Sequence, residues 1–280
     1  VDAETVIRGE SVFRIVVRGS DGGEIVMRVA VLSDIHGFDL AFERVLADIE
    51  ATGPYNAIVI AGDVAEVGPN PQRVIELIQE RGIPAIRGNT DDDCAVPGYR
   101  GDGEESVAYV QQEVGEAGME WLRNLPFEHR ITPPGGTSPD DDLLIVHANP
   151  HNNLVALEPA YNDRQLAEIF QPVRAKAIAF GHVHICYIRE IDEVLLVDVS
   201  AVGNPKDGDL RCKYGVLTWD EVSRSWSAEI RKLPYPLEET KAQMRASSMP
   251  DREKAYKKLK RATYGKRAIE VQRKAEKGIS

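Results

Sequence analysis

The sequence predicts an α/β protein whose first half forms a parallel sheet with helices against it, followed by a second, mixed or antiparallel sheet. Three observations lead there. From Arg28 the pattern repeats as strand, loop, helix, a βαβαβ rhythm. After Leu143 the strand-like runs follow one another with few helices between them. Five short polar motifs each come directly after a hydrophobic run, where open α/β sheets hold their sites.

Taken in order, Val12 to Val17 reads as a strand, Ser20 to Gly23 as a turn, and Glu24 to Val31 as a second strand. Two readings of residues 1–26 stand side by side: a β-hairpin leading into the core, or an extension ahead of Met27. Arg28 to Ser33 is a β-branched run, and Leu40 to Glu50 spaces Ala41, Val45, Leu46 and Ile49 as a helix does. Ala57 to Ala61 is a second buried strand. Pro71 to Arg81 is a helix ended by Gly82, and Ile83 to Arg87 is a third strand. Asp92 to Arg100 reads as a loop and Gly115 to Leu125 as a helix, while Val107 to Val110 and Ile131 are left unassigned. Pro133 to Asp142 is a loop. Leu143 to Val146, Ala177 to Phe180, Glu193 to Val199, Tyr214 to Trp219 and Trp226 to Lys232 read as further strands. This places a main domain at 27–237. Residues 238–280 change character: Lys and Arg dominate and apolar residues are sparse, so they read as a basic helical tail outside the core and a candidate contact in a homo-oligomer.

Size and charge limit the function. A chain of 280 residues can bury a large core. Its formal charge of −11 argues against non-specific nucleic-acid binding, which needs a basic surface. Cys94, Cys186 and Cys212 are odd in number and widely spaced, so neither a disulfide framework nor a zinc knuckle is expected. No run approaches the roughly 18 apolar residues of a membrane span. No signal peptide is visible, and the expectation is a cytoplasmic protein.

The chemistry lies in the motifs Asp34-Ile35-His36, Gly62-Asp63, Gly88-Asn89, His147 and Gly181-His182-Val183-His184. Four of the six histidines fall in them. Histidine, aspartate and asparagine suit divalent metals in hydrolysis, while the absence of thiolates and the nitrogen content disfavour a thiolate-selective or calcium site. A lone D-x-H or G-D occurs by chance in many proteins. The ordered series, each member at the same station after a strand, would bring all seven side chains to one rim. His129 has no motif around it and reads as a surface residue.

This series resembles that of the calcineurin-like metallophosphoesterase superfamily: D-x-H, G-D, G-N, H, then G-H-x-H, over about residues 28–232. Ala30 to Gly37, Arg87 to Asp91 and Ser200 to Asp209 look most like its compact prokaryotic phosphodiesterase branch. The resemblance implies two mixed β-sheets packed as a sandwich and flanked by helices. It implies two divalent metal ions, Mn²⁺, Fe²⁺/Fe³⁺ or Zn²⁺, with Ni²⁺ or Mg²⁺ as alternatives. Asp34, His36, Asp63 and His184 would hold one metal; Asp63, Asn89, His147 and His182 the other. Two metals about 3.5–4 Å apart can hold a bridging hydroxide against a phosphoester, with Asn89 offsetting charge on the equatorial oxygens. Asp63, Asn89 and His147 are therefore the expected catalytic side chains.

Where many members of the family have a histidine after Gly-Asn, Thr90 stands here. Threonine cannot act as a general acid at neutral pH, so either good leaving groups are favoured or another group donates the proton. His151 is the candidate. Asp91 is expected to orient the Asn89 turn or to hydrogen-bond a ligand histidine; Arg87, Lys206 and Arg211 are candidate phosphate contacts. A protein phosphatase is disfavoured by Thr90 and by the lack of arginine in Gly62 to Gly68. The expectation is a phosphodiesterase, also able to act on phosphomonoesters, with a small phosphoester substrate. A phosphatase acting on nucleotides or dinucleoside polyphosphates is the nearest alternative. A non-catalytic scaffold of the same fold, like the retromer subunit, is a further one.

Overall fold

The computed structural model describes residues 3–5, 14–17, 26–101 and 104–264, with backbone alone for 3–5, 14–17 and Val26. In chain order the elements are β1 (Ala3–Thr5), β2 (Arg14–Val17), β3 (Val26–Leu32), α1 (Asp39–Thr52), β4 (Ala57–Ile60) and α2 (Pro71–Arg81). Next come α3 (Asn89–Ala95), α4 (Glu105–Arg123), β5 (Glu128–Thr132), β6 (Leu143–Val146), α5 (Asp163–Phe170) and β7 (Ala177–Phe180). The chain continues through β8 (Tyr187–Ile191), β9 (Val194–Asp198), β10 (Cys212–Asp220), β11 (Ser225–Leu233), α6 (Leu237–Ala246) and α7 (Arg252–Arg261).

The strands form two mixed sheets, one ordered β1-β2-β5-β6-β7-β9-β8 and the other β11-β10-β3-β4. Their facing sides interlock through Val29 and Val31 of β3, Leu143 and Ile145 of β6, Ala177 and Ala179 of β7, and Leu217 and Trp219 of β10, all buried. Strand side chains alternate faces. The other face of β3 (Ala30, Leu32) therefore packs on α1, α2 and α4. The other faces of β6 and β7 (Leu144, Val146, Ile178, Phe180) pack on Leu166 and Phe170 of α5. The result is the expected sandwich of two sheets between helices.

Local sequence explains the element ends. Helix α2 starts on Pro71 and stops at Gly82, whose φ of 61° is left-handed and whose N–H donates to Gln79 and Ile78 carbonyls. Helix α4 breaks at Gly115, where φ is 61° and ψ −176°. The helix runs through Val107 to Val110, which the sequence pattern left unassigned.

Several expectations are corrected. Ile83 to Arg87 forms an isolated parallel bridge, Ile60 to Ala85, rather than a full strand. Pro84 cannot donate to a ladder. Asp92 to Ala95 continue α3 instead of starting a loop. Strand β2 lies between β1 and β5 in the seven-stranded sheet, so it does not form a hairpin with β3; the turn at 20–23 falls outside the described residues.

His129 is 1% exposed, not superficial. It lies two residues before Ile131 on β5 and so shares that residue's inward face between the sheets. Burial pushes it down to about 4, which leaves it neutral.

The described part of the basic tail, residues 238–264, is not outside the core. Met244, Met249 and Leu259 are buried with α1 and β10 residues, and Ala255 and Tyr256 pack against them. No helix among the described residues is long and apolar enough to cross a membrane.

Candidate metal centre

Six of the seven motif side chains emerge at the carboxyl ends of strands from both sheets. Asp34 and His36 follow β3, Asp63 follows β4, His147 follows β6, and His182 and His184 follow β7. Asn89 opens α3 just past the Ala85 bridge. Asp34, His36 and Asp63 have φ of 54°, His182 71° and His184 57°. Left-handed backbone costs a non-glycine residue about 1–3 kcal/mol. Five such residues in one cluster mark a place where side-chain direction outweighs backbone comfort.

One ligating atom from each of Asp34, His36, Asp63 and His184 lies within 4.8 Å of the others. His184 Nε2 is 3.0 Å from Asp34 Oδ1 and 3.2 Å from His36 Nε2. His36 Nε2 is 3.6 Å from both Asp34 Oδ1 and Asp63 Oδ2. On the other side of Asp63, its Oδ1 is 3.4 Å from His147 Nε2. That nitrogen is in turn 3.0 Å from Asn89 Oδ1 and 3.2 Å from His182 Nδ1. Asp63 thus stands between two groups of donors.

The tautomers follow from the outer contacts. A backbone carbonyl only accepts, so a ring nitrogen facing one carries the proton. His36 Nδ1 donates to the Glu66 carbonyl at 2.9 Å, His147 Nδ1 to that of Ala61 at 2.9 Å, and His184 Nδ1 to that of Asn204 at 2.5 Å. In the neutral rings each Nε2 therefore turns a lone pair inward, onto carboxylate and amide oxygens that also only accept. A polyvalent cation satisfies such a set, and carbonyl-anchored imidazoles are the usual outer support of metal-binding histidines. The residues present fit a metal centre.

The Asn89 amide has two settings. With Oδ1 inward it faces His147 Nε2 at 3.0 Å. Turned over, its nitrogen donates to His182 Nδ1 at 2.7 Å and His147 Nε2 at 3.0 Å, and its oxygen accepts from Arg100 Nη2 at 3.0 Å. The second setting satisfies the imidazoles without a cation; the first is the one a metal selects.

The titratable groups respond to the same crowding. Burial alone would lower His36, but its bond to Asp34 and the Asp63 charge raise it to about 9. Burial would raise Asp34, yet His184, His36 and His147 hold it well below the carboxylate range. Burial and neighbouring His147 lower His182 to about 4. Without metal, a proton on His36 therefore takes part of the cation's place.

Two supports fix the geometry. The Asp91 carboxylate accepts N–H bonds from Asp63, Val64 and Gly88, each at 2.9 Å, and so ties the G-D turn to the G-N turn. Of the two roles expected for it, orienting the Asn89 turn is the observed one. Burial and the Asp63 charge push Asp91 up to about 7, against the bonds from Gly88 and Val64. Gly181 is the second support: a Cβ there would lie 2.1 Å from Ser33 Oγ and 2.2 Å from Asp34 Oδ2.

His151 is not brought into this cluster. Its imidazole is exposed and, among the described residues, makes no hydrogen bond or ion pair; only its N–H donates, to Asn149 Oδ1 at 2.8 Å. Arg87 is structural, bonded to the Arg123 carbonyl and paired with Asp92. Arg211 is spent on Asp209. Lys206 is buried beside the centre. Two residues escaped the sequence reading. Arg100, held by both oxygens of Asp93, stands next to Asn89. Its only sequence signal was a lone base in an acidic segment. Tyr264 lies with its ring 6.1 Å from that of His184, and nothing local announced it.

Fold and donor set together are those of a metallophosphoesterase. The model of the calcineurin-like phosphoesterase family matches residues 27–186, more than half of the chain, and the chain belongs to that family. It is a metal-dependent phosphoric ester hydrolase. It is 24% identical over 246 residues to uncharacterized protein MJ0912 of Methanocaldococcus jannaschii, covering 80% of this chain and 94% of that one. It is 30% identical over 130 residues to a symmetrical bis(5'-nucleosyl)-tetraphosphatase of an Acidovorax species, a match that spans 44% of each. Among solved structures, it is similar to a metallophosphoesterase from Sphaerobacter thermophilus. The TM-score is 0.67 at 22% identity, covering 85% of this chain and 99% of that one. It is also similar in fold to hypothetical protein PH1004 of Pyrococcus horikoshii, with a TM-score of 0.70 at 18% identity, covering 84% and 98%.

Proposed function

We infer that the chain is a dinuclear phosphodiesterase acting on small molecules, able also to cleave phosphomonoesters. One observation supports this above the rest: three imidazoles, each anchored outward to a carbonyl, converge with Asp34, Asp63 and Asn89 around two donor groups that share Asp63. In this reading Asp34, His36, Asp63 and His184 hold one metal, and Asp63, Asn89, His147 and His182 the other. The donors suit Mn²⁺, Fe or Zn²⁺. Bound there, two such ions would supply Lewis-acid charge and an activated water.

The chain's own groups do the rest. Asn89 and His147 border the space where the phosphoryl oxygens sit, and the Arg100 guanidinium adds a fixed positive charge at the same edge. Thr90 donates its N–H to Asp63 Oδ1 at 2.9 Å and so helps orient the shared carboxylate. No histidine stands at its position to protonate a leaving group, and esters with acidic leaving groups are the favoured substrates. Three free cysteines suit a reducing, cytoplasmic setting.

The test is hydrolysis of bis-p-nitrophenyl phosphate by protein stripped with chelator and reloaded with Mn²⁺, Fe²⁺ or Zn²⁺. Activity that vanishes on stripping and returns at two metals per chain supports the reading. A chain that takes up no transition metal and hydrolyses nothing is a binding scaffold. A second reading, hydrolysis of dinucleoside polyphosphates, is favoured by the tetraphosphatase relative. The comparison of that substrate class with simple diesters decides between them.

A further inference from the structure

Beside the metal centre lies a cleft that none of the motifs explains. Its place is set by backbone contacts. The Lys206 N–H donates to the His184 carbonyl at 3.0 Å, which ties the 203–209 loop to a candidate ligand. Gly208 N–H donates to the Ala262 carbonyl at 2.7 Å, and Asp207 and Thr263 form an antiparallel bridge. The end of α7 is thereby laid along that loop. Between them is a cleft of about 440 Å³ whose lining includes Lys206, Asp251, Lys254, Lys258, Arg261 and Tyr264.

Its charge is out of keeping with the protein. Four cations line it against one carboxylate, Asp251, which is already bonded to Lys254 at 2.7 Å. The whole chain is acidic, at −11. Among the described residues, no carboxylate lies within ion-pair distance of Lys206, Lys258 or Arg261. Lys206 is 8% exposed, and among the described residues its ammonium meets only the Asn204 amide oxygen and the face of Tyr264, 6.0 Å from the ring centroid. A buried cation without an anion is costly. Such an arrangement is explained by an anion that is supplied from outside and carries several charges.

We propose that this cleft is a second phosphate-binding site, holding the phosphates of a polyphosphate chain that lie beyond the one cleaved at the metal centre. Lys206 and Lys258 grip the chain from opposite walls, Arg261 offers a planar fork for its oxygens, and Tyr264 stands at the junction with His184. A nucleoside polyphosphate carries further phosphates for these cations to hold; a simple diester has none. The proposal deepens the hydrolase reading and rests on it for the word substrate, but the binding itself does not.

Binding and catalysis are therefore measured separately. Inorganic tripolyphosphate is titrated calorimetrically into the metal-stripped 280-residue chain, as wild type and as the Lys206→Met, Lys258→Ala and Lys257→Ala variants. Lys257 is on the same helix but is not part of the cleft lining. Wild type is expected to bind, more weakly as salt rises. Lys206→Met and Lys258→Ala are each expected to lose about tenfold or more, the usual share of a charge-assisted phosphate contact, and Lys257→Ala less than about twofold. Thermal melts confirm that the variants are folded, and exposed Lys258 carries the test alone if Lys206→Met is not. Absence of binding in wild type, or equal losses in all three variants, overturns the site. Adenosine tetraphosphate binding more tightly than tripolyphosphate assigns the cleft to nucleotides; equal binding assigns it to the phosphate chain alone. In the metal-loaded enzyme, the ratio of kcat/KM for dinucleoside tetraphosphate over bis-p-nitrophenyl phosphate falls at least about tenfold in Lys258→Ala. If wild type binds tripolyphosphate but hydrolyses neither ester, the hydrolase reading fails while the anion site stands.

Discussion

Removing the metal should make stability depend on pH in a way that isolates His36. In the metal-free protein His36 is raised from its ordinary 6.5 to about 9 by Asp34 and Asp63, in spite of burial. The folded state therefore holds this proton more tightly than the unfolded chain. Its contribution is fully present below about pH 6.5 and is lost as pH rises through about 9. The interval from 6.5 to about 9, at about 1.4 kcal/mol per pH unit, corresponds to about 3 kcal/mol. Other groups titrate in the same window: Asp91 near 7 and Lys206 near 8. The measurement is therefore a difference between wild type and His36→Gln, by urea denaturation with chelator present at pH 6 and pH 9.5. Wild type should lose about 3 kcal/mol relative to the variant between the two pH values. Manganese should reverse the slope, because metal and proton compete for the same nitrogen and metal wins at high pH. A wild-type advantage that stays constant, or grows with pH in chelator, would refute the idea that a proton on His36 replaces the cation.

Four further outcomes follow from the geometry. Gly181→Ala places a Cβ 2.2 Å from Asp34 Oδ2; metal content by mass spectrometry should fall and hydrolysis should drop by about a hundredfold or more. Asp91→Ala strands three buried N–H donors and should destabilise the fold by about 3 kcal/mol or more, read as a lower urea midpoint. Leu259→Ala should cost about 2–5 kcal/mol; a change near zero would mean that α7 is not part of the core. His151→Ala should keep alkyl diester turnover within about twofold, since proton donation requires hydrogen-bond reach. A tenfold loss there would make His151 the missing donor.

The candidate metal centre was legible in the sequence because its parts are local. Each ligand stands one to four residues past a buried run, and strand ends in an α/β fold converge. Two details were not legible for a physical reason. The motif ends come from both sheets, as β3 and β4 belong to one and β6 and β7 to the other. Sheet membership depends on long-range pairing that periodicity does not encode. Arg100 reaches Asn89 only because α3 and the following loop fold back on Asp93, a contact without a sequence signature.

The C-terminal segment failed for a different reason, and the failure is instructive. Charge density suggested a solvated tail, because α7 has few apolar residues among its lysines and arginines. Yet a helix packs by the placement of apolar residues, not by their number. Ala255, Tyr256 and Leu259 fall at spacings of three and four, which puts them along one face. That face meets the core, and with Met244 and Met249 it covers the edge of α1 and β10. The lysines that made the segment look dispensable are left on the opposite and flanking faces, where Lys254 and Lys258 line the cleft beside the centre. The sparse apolar stripe and the dense charge are therefore two sides of one arrangement: the stripe anchors α7, and the anchoring is what brings the cations to the rim.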